Sequence, residues 1–236
     1  MLMSMLSRSL AWKVLVVGLG LAAFAGDRTN AQTSSPKPPP AGVTECRFRA
    51  LSNDPDPAGL NVRDAPDPNA RVLGRLLPRH VGGEIVQAEV QVIGYRTGWF
   101  LVEVTPSPYR DADQPKSFSG RGWVAASLLT AGLLRNRLKQ APSEQSADVL
   151  DLRLLDTEGI PVVTPDTVKM RRLIACSGDW VQVEVALMKG MKPLLESGAP
   201  KGAVRGWANG TCAEQFATCD FNQDAPWSPP APLPPE

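Results

Sequence analysis

Two short segments of this sequence occur twice, in the same order. The first, Trp-x-x-Val-Glu-Val, begins at Trp99 and again at Trp180. The second, Arg-Gly-Trp, ends at Trp123 and again at Trp207, so that the paired tryptophans are 24 and 27 positions apart. Such self-similarity is typical of a repeated structural unit. We therefore expect two related units in the chain.

The residues around the first segment alternate between two faces, as they do in a half-buried β-strand. One face is apolar in both copies, with Phe100, Val102 and Val104 in the first and Val181, Val183 and Val185 in the second. The other face of the second copy holds Trp180, Gln182 and Glu184. This period predicts an all-β fold with the repeated tryptophans on the wetter faces of their strands.

The repeated tryptophans are the principal candidates for ligand binding. They are Trp99, Trp123, Trp180 and Trp207, and we add Tyr109 from the insertion within the first unit. An exposed aromatic side chain among polar neighbours commonly marks a recognition surface. The alternative is that each indole is covered by its own loops, because Trp is usually well buried. Residues 105–119 and 186–203 form insertions that we expect to carry the differences in specificity between the units; tolerated variation in the length of exposed hairpins is the alternative.

Residues 1–31 have the features of a cleaved secretory signal. Arg8 and Lys13 supply a positive start, and Val14 to Ala25 is apolar but shorter than the ~20 residues that span a bilayer. An uncleaved membrane anchor is the alternative. Cleavage would leave a nearly neutral chain, which carries no electrostatic footprint for nucleic acid or an anionic membrane. We predict an exported protein, periplasmic or extracellular, without stable membrane insertion after cleavage.

Composition divides the rest of the chain. We predict a Pro-rich linker at 32–42, a first domain at 43–130, a second linker at 131–148, a second domain at 149–221 and a Pro-rich tail at 222–236. The tail has the Pro-x-x-Pro form that SH3 grooves bind as a preformed extended helix. A disordered tail is the preferred interpretation.

The first domain contains an ordered set of short motifs. Leu60-Asn61-Val62-Arg63 is followed by Pro66, Val72-Leu73-Gly74, Gly98-Trp99-Phe100-Leu101-Val102 and Gly122-Trp123-Val124. Their order and spacing resemble the bacterial-type SH3 domain (SH3b) over about residues 46 to 130. The resemblance implies a small, strongly bent antiparallel barrel of about five strands, without catalytic residues, that binds cell-wall material or other proteins.

The second domain is similar to the same family mainly through its tryptophan segments. It has no Asn-Val-Arg-x-x-Pro, only Val162-Val163-Thr164-Pro165. We interpret it as a degenerate SH3b-like domain. The predicted architecture is therefore two small SH3-like antiparallel barrels in tandem after a cleaved signal peptide.

The chain has four cysteines, Cys46, Cys176, Cys212 and Cys219. An even number in an exported protein favours two disulfides. The resemblance to an SH3-type barrel implies that Cys176 approaches Cys212, which leaves Cys46 with Cys219 and ties the two domains together. The local pair of Cys212 with Cys219 is the rival. No Cys-x-x-Cys pair occurs, and we predict no metal site.

The sequence offers little support for catalysis. His80 is the only histidine, and cysteines that are oxidised cannot act as nucleophiles beside it. Gly-x-Ser-x-Gly, His-Glu-x-x-His and phosphate-binding glycine loops do not occur in the sequence. We expect a non-catalytic binding protein without a cofactor, whose partner is cell-wall peptidoglycan. The alternative partner is another protein of the envelope, docked in the same grooves.

Overall fold

The computed structural model describes residues 39–78, 80–81, 84–85, 87–105, 117–155, 161–163 and 168–213. Within these ranges the chain is all-β, with a single three-residue 3₁₀ helix and no α-helix, so the predicted fold class is confirmed. Antiparallel sheets build two small barrel-like units. The predicted signal peptide, residues 32–38 of the first Pro-rich linker, and the tail at 222–236 lie outside the described residues.

The first unit, which we call barrel 1, is formed by strands β1 to β9. These are Thr44–Ser52, Asn61–Arg63, Val72–Arg75, His80–Val81, Glu84–Ile85, Glu89–Arg96, Trp99–Val104, Gly120–Ala125 and Leu129–Thr130, with the 3₁₀ helix Ala126–Leu128 before β9. Seven of them form one sheet in the order β3-β2-β8-β7-β6-β1-β9, and β4 pairs with β5. Strand β1 therefore lies between β6 and β9, the last strand of the unit.

The second unit, barrel 2, is formed by strands β10 to β18. These are Gly132–Leu133, Arg137–Lys139, Asp148–Asp151, Leu154–Leu155, Pro161–Val163, Met170–Ser177, Trp180–Ala186, Ala203–Asn209 and Thr211–Cys212. Five of them form a sheet in the order β12-β11-β17-β16-β15. Two further pairs, β10 with β18 and β13 with β14, complete the unit.

The two copies of the repeated segments are paired in the same register. The equivalent cross-strand pairs are Trp99–Ala125 and Leu101–Trp123 in barrel 1, and Trp180–Asn209 and Gln182–Trp207 in barrel 2. The apolar sets predicted from the alternation are buried in both barrels. The internal repeat is therefore a repeat of three-dimensional structure, with β7–β8 equivalent to β16–β17.

A glycine in each copy lets a neighbouring strand cross closely. A Cβ added to Gly122 would collide with Val62 of β2, and one added to Gly206 would lie 2.8 Å from the Cβ of Leu138 in β11. Real Cβ contacts are not this short, so the glycine in Arg-Gly-Trp is required by packing. Strands β2 and β11 thus occupy equivalent positions.

The loops that follow β2 and β11 both begin with Ala-Pro, and they show that the counterpart of the Asn61–Arg63 motif in barrel 2 was predicted at the wrong position. Ala65-Pro66 and Ala141-Pro142 begin equivalent loops: the amide of Asp67 donates to the carbonyl of Ala65 at 2.9 Å, and that of Ser143 to Ala141 at 2.8 Å. The counterpart of Asn61–Arg63 in barrel 2 is therefore Arg137–Lys139, and not the segment beginning at Val162.

Residues 131–148, predicted as an interdomain linker, belong to barrel 2. They contain β10 and β11 and the first residue of β12, and β11 pairs with β17 at Lys139 and Trp207. Barrel 2 therefore begins at β10 rather than at residue 149. The polar, proline-containing stretch that suggested a linker is the loop of the β11–β12 hairpin.

The two barrels share one core. Their buried side chains form a single cluster, and both barrels belong to one compact unit. At the junction, the amide of Arg47 in β1 donates to the carbonyl of Gly178 at 2.8 Å, and the amide of Gly178 donates to the carbonyl of Glu45 at 2.9 Å. The hydroxyl of Thr211 also donates to the carbonyl of Arg49 at 2.7 Å. Strand β1 of barrel 1 thus also forms hydrogen bonds with barrel 2.

The disulfide bond at this junction joins Cys46 to Cys176. The predicted pairing of Cys176 with Cys212, and of Cys46 with Cys219, is therefore wrong, because β15 packs against the first strand of barrel 1 and brings Cys176 to Cys46. A bond from Cys46 nevertheless ties the two units together, with Cys176 as its partner in place of Cys219. Cys212 is disulfide-bonded as well. Cys219 lies outside the described residues, so the local pair of Cys212 with Cys219 stays a prediction.

Candidate functional site

The repeated tryptophans differ in exposure. Trp99, Trp180 and Trp207 are half-buried, as expected for side chains on the wetter face of their strands. Trp123 is only 7% exposed, so the predicted exposure of this indole is wrong. It lies opposite Leu101, which is also buried, whereas its counterpart Trp207 lies opposite the polar Gln182. Tyr109 lies outside the described residues.

Tight turns present Trp99 and Trp180 at the starts of their strands. The β6–β7 hairpin turns through Thr97 and Gly98, which have φ angles of 46° and 81°. The β15–β16 hairpin turns through Gly178, with φ of 59°, and Asp179. Two-residue turns of this kind require positive φ, which glycine adopts without steric cost. Each indole therefore lies directly after a tight turn, at a corner of its barrel.

The Trp180 corner opens into a cleft of about 310 Å³. We call it the Trp180 cleft, and its walls are Arg135, Asn136, Arg137, Lys139, Glu144, Arg153, Trp180 and Asn209. The lining comes from β11 and the two residues before it, from the loop that follows it, from Arg153 after β12 and from the adjoining ends of β16 and β17. Four of the eight side chains are cationic and one is anionic. An aromatic ring beside several hydrogen-bond donors is typical of a recognition site.

Carboxylates behind the cleft hold three of these four cations in place. Arg137 contacts both Asp148 and Asp151 at 3.2 Å, Lys139 contacts Asp148 at 2.8 Å, and Arg153 contacts Asp151 at 3.2 Å. Burial alone would raise the pKa of Asp151, but hydrogen bonds from Arg153 and the charge of Arg137 outweigh it, so that this pKa lies below its usual value. The donors are thereby fixed before a ligand arrives, which reduces the entropy lost on binding.

A hydrogen bond forms one rim of the cleft. The side-chain amide of Asn209 donates to Glu144 at 2.9 Å, although these residues are 65 positions apart in the sequence. Glu144 belongs to the β11–β12 loop, so this bond joins the loop to the end of β17. Because Asn209 also lies directly opposite Trp180, it connects the polar rim to the indole.

Barrel 1 has different residues at the equivalent positions. Ala125 takes the place of Asn209 beside Trp99, and Leu101 takes the place of Gln182. The amide of Leu76 donates to the carbonyl of Leu60, just as Leu152 donates to Asn136 in barrel 2, which places Leu77 where barrel 2 has Arg153. Barrel 1 therefore has apolar residues at the positions that are polar in the Trp180 cleft, and the polar site belongs to barrel 2.

The position predicted for Glu184 from the alternation of its strand is wrong. It was expected on the wetter face with Trp180, yet it is only 4% exposed. Arg205 of β17 and Arg172 of β15 donate to the same carboxylate oxygen at 2.9 and 3.0 Å. Burial by itself would raise the pKa of Glu184, but these two hydrogen bonds outweigh it and hold the pKa below its usual value. Glu103 in barrel 1 makes the equivalent ion pair with Arg121 at 2.8 Å, with both side chains partly exposed.

A second, smaller cleft of about 140 Å³ lies at the junction of the barrels. We call it the junction cleft, and its walls are Arg47, Phe48, Arg49, Gln91, Asp179, Asn209, Gly210 and Thr211. Arg47 bonds to Asp179 at 3.0 Å and to Glu45 at 2.9 Å, and these carboxylates raise the pKa of Arg47 above its usual value. The sequence interpretation did not single out any residue of this cleft, because its walls come from distant parts of the chain.

The insertion predicted to carry specificity in barrel 2 is an exposed loop. Between β16 and β17, Leu194 is 53% exposed and Leu195 is 40% exposed, with Met188 also on the surface. The loop is attached to the sheet where the amide of Leu194 donates to the carbonyl of Val149. Of the corresponding insertion in barrel 1, residues 106–116 lie outside the described ranges.

The comparisons with known proteins give no family assignment. No protein-family model, curated protein sequence or solved structure matches the chain. In the part of the chain that the structure covers, no three His, Cys, Asp or Glu side chains converge in a way that could hold a metal ion.

Proposed function

We propose that this chain is an exported, non-catalytic binding protein made of two SH3b-like barrels, and that it engages cell-wall peptidoglycan through the Trp180 cleft. The observation that carries the proposal is the placement of the Trp180 indole beside side-chain donors that are held by the half-buried carboxylates of Asp148 and Asp151. The resemblance of the sequence motifs to those of SH3b domains also supports a binding function.

The chemistry of the cleft matches that of peptidoglycan. A sugar ring offers an apolar face that packs on an indole, and its hydroxyl groups accept hydrogen bonds from side-chain amides. The peptide part of peptidoglycan carries carboxylates, which arginine binds in a bidentate geometry. Trp180 and Asn209 provide the first kind of contact, and Arg135 and Arg153 provide the second.

Export is supported by the oxidised cysteines. The bond between Cys46 and Cys176 persists in oxidising compartments and is compatible with a protein that folds outside the cytoplasm. The signal-like sequence at residues 1–31 agrees with this localisation. Peptidoglycan is then within reach of the protein in either the periplasm or the medium.

Sedimentation with purified sacculi tests the proposal. We expect the wild-type protein to sediment with the sacculi, Trp180→Ala to remain largely in the supernatant and Trp99→Ala to sediment as the wild type does. The Trp99 variant is a matched control because it removes the same side chain from the equivalent corner of barrel 1. Circular dichroism of each variant checks the fold. A wild-type protein that stays in the supernatant would refute the cell-wall proposal.

A protein partner is the second candidate. The observation that favours it is the exposed apolar loop with Leu194 and Leu195, because surface leucines in a group commonly mark a protein contact. Cross-linking of the intact protein in cells distinguishes the candidates: a stoichiometric partner that is lost in Leu194→Ser/Leu195→Ser favours this function, and capture that is unchanged argues against it.

A further inference from the structure

The Trp180 cleft and the junction cleft meet at one residue. Asn209 lines both of them, and the neighbouring residues Trp180 and Asp179 line one cleft each. The two clefts are therefore consecutive parts of one surface that runs from the β11–β12 hairpin of barrel 2 to strands β1 and β6 of barrel 1. Neither barrel alone contains the whole surface.

We propose that the two clefts form one composite groove for a ligand longer than the Trp180 cleft, so that the junction cleft is a second subsite. This inference rests on the proposed function and deepens it. The ligand is a connected stretch of glycopeptide with several repeating units, and a single disaccharide-peptide occupies the Trp180 cleft alone. Arg49, Gln91 and Thr211 are the side chains of barrel 1 and β18 that contact the extension.

The groove needs a fixed junction, and the structure provides one. The disulfide between Cys46 and Cys176 lies within one or two residues of Arg47 and Gly178, whose backbone hydrogen bond joins the barrels at 2.8 Å. Arg47 adds a side-chain bond to Asp179 at 3.0 Å. These links lie directly beside the point where the clefts meet. A fixed junction keeps both subsites in one register, as a ligand bound across them requires.

The second subsite also has its donors held in place. Arg49 contacts Glu89 at 2.7 Å. The amide of Gln91 donates to the carbonyl of Phe48 at 3.1 Å, which holds this side chain along β1. The subsite therefore offers the Arg49 guanidinium as a donor to ligand carboxylates, and the side-chain oxygens of Gln91 and Thr211 as acceptors for the amide and hydroxyl groups of an extended ligand.

The test compares soluble peptidoglycan fragments of two lengths, a single disaccharide-peptide and an oligomer of several units, by amide and indole NMR shifts of the full-length mature protein. The expected result is that the short fragment shifts Trp180 and Asn209, and that the long fragment additionally shifts Gln91 and Thr211. Arg49→Gln should weaken binding of the long fragment by about three- to tenfold and leave the short one unchanged.

Arg71→Gln is the matched control, since it makes the same substitution at an exposed arginine of barrel 1 whose partner is Asp64. Equal shifts for both fragments, confined to the Trp180 cleft, would overturn the composite groove while leaving the cell-wall proposal intact. The composite groove is likewise overturned if Arg49→Gln binds the long fragment as tightly as Arg71→Gln does. If neither fragment binds, and intact sacculi do not retain the protein, the proposed function itself fails.

Discussion

Asn209 lies directly opposite Trp180 across strands β16 and β17, and its side chain bonds to Glu144 at 2.9 Å. In barrel 1 the residue opposite Trp99 is Ala125, which has no side-chain donor. The two barrels thus keep one backbone register and differ in the polar groups placed on it. This difference assigns the candidate site to barrel 2.

Asn209→Ala makes the barrel 2 corner resemble that of barrel 1. We expect this variant to bind sacculi about three- to tenfold more weakly, because it loses a ligand donor and releases the Glu144 loop. Ala125→Asn in barrel 1 is the reciprocal variant and should leave binding unchanged. Sedimentation over a range of sacculus concentrations measures both. Equal binding by Asn209→Ala and the wild type would exclude Asn209 from the site.

The two equivalent ion pairs should differ in their contribution to stability. The side chain of Glu184 is 5% exposed between two arginines, whereas that of Glu103 is 36% exposed. Glu184→Gln should lower the free energy of unfolding by about 2 kcal/mol, because two arginines lose their buried counter-ion. Glu103→Gln should lower it by less than about 1 kcal/mol, since water screens this pair. Urea denaturation measures both, and equal losses would contradict the assignment.

Acid should remove the difference between the wild type and Glu184→Gln. The pKa of Glu184 in the folded protein lies below its usual value of 4.5. A carboxylate of this kind stabilises the fold fully above the unfolded-state pKa, and the contribution is lost as the pH falls through the folded-state pKa. The two unfolding free energies should therefore approach each other as the pH is lowered from neutral to below 4.5. A constant difference over this range would show that the charge of Glu184 is not what stabilises the junction of β15, β16 and β17.

The disulfide between the barrels closes a long loop, with 130 positions between Cys46 and Cys176. The double variant Cys46→Ala/Cys176→Ala should lose about 2–5 kcal/mol of unfolding free energy, because the unfolded chain gains conformational freedom. Urea denaturation of this variant, beside the non-reduced wild type, provides the measurement. An unchanged midpoint would mean that the backbone contacts of Arg47 and Gly178 are sufficient to hold the junction.

Disulfide mapping checks the connectivity directly. We expect a non-reducing digest to contain Cys46 linked to Cys176, and Cys212 linked to Cys219. Recovery of Cys176 linked to Cys212 would contradict the junction described above, because β15 would then not lie against β1.

Much of the fold follows from local sequence patterns. Alternation located the strands that contain Trp99 and Trp180, and the repeated Arg-Gly-Trp located their partners. The repeated Ala-Pro of Ala65-Pro66 and Ala141-Pro142 was an additional local signal, which would have placed β11 correctly. Polar composition suggested a linker there instead, since a hairpin loop and a linker contain the same kinds of residue.

Contacts between distant strands could not be predicted in the same way. Glu184 is buried because Arg172 and Arg205 approach it from the strands on either side, and a period of two contains no information about those neighbours. The junction could not be predicted for the same reason, because the hydrogen bonds between β1 and barrel 2 join residues that are far apart in the sequence. The Trp180 cleft combines residues from β11, β16 and β17, of which the sequence singled out Trp180 alone.

The most direct test of the central claim is calorimetric titration of the mature protein, Trp180→Ala and Trp99→Ala with soluble peptidoglycan fragments. The claim that barrel 2 carries the binding site predicts saturable binding by the wild type. Trp180→Ala should bind at least about tenfold more weakly, a loss of about 1.4 kcal/mol, and Trp99→Ala should bind as the wild type does. Equal losses in the two variants, or a loss confined to Trp99→Ala, would contradict the claim.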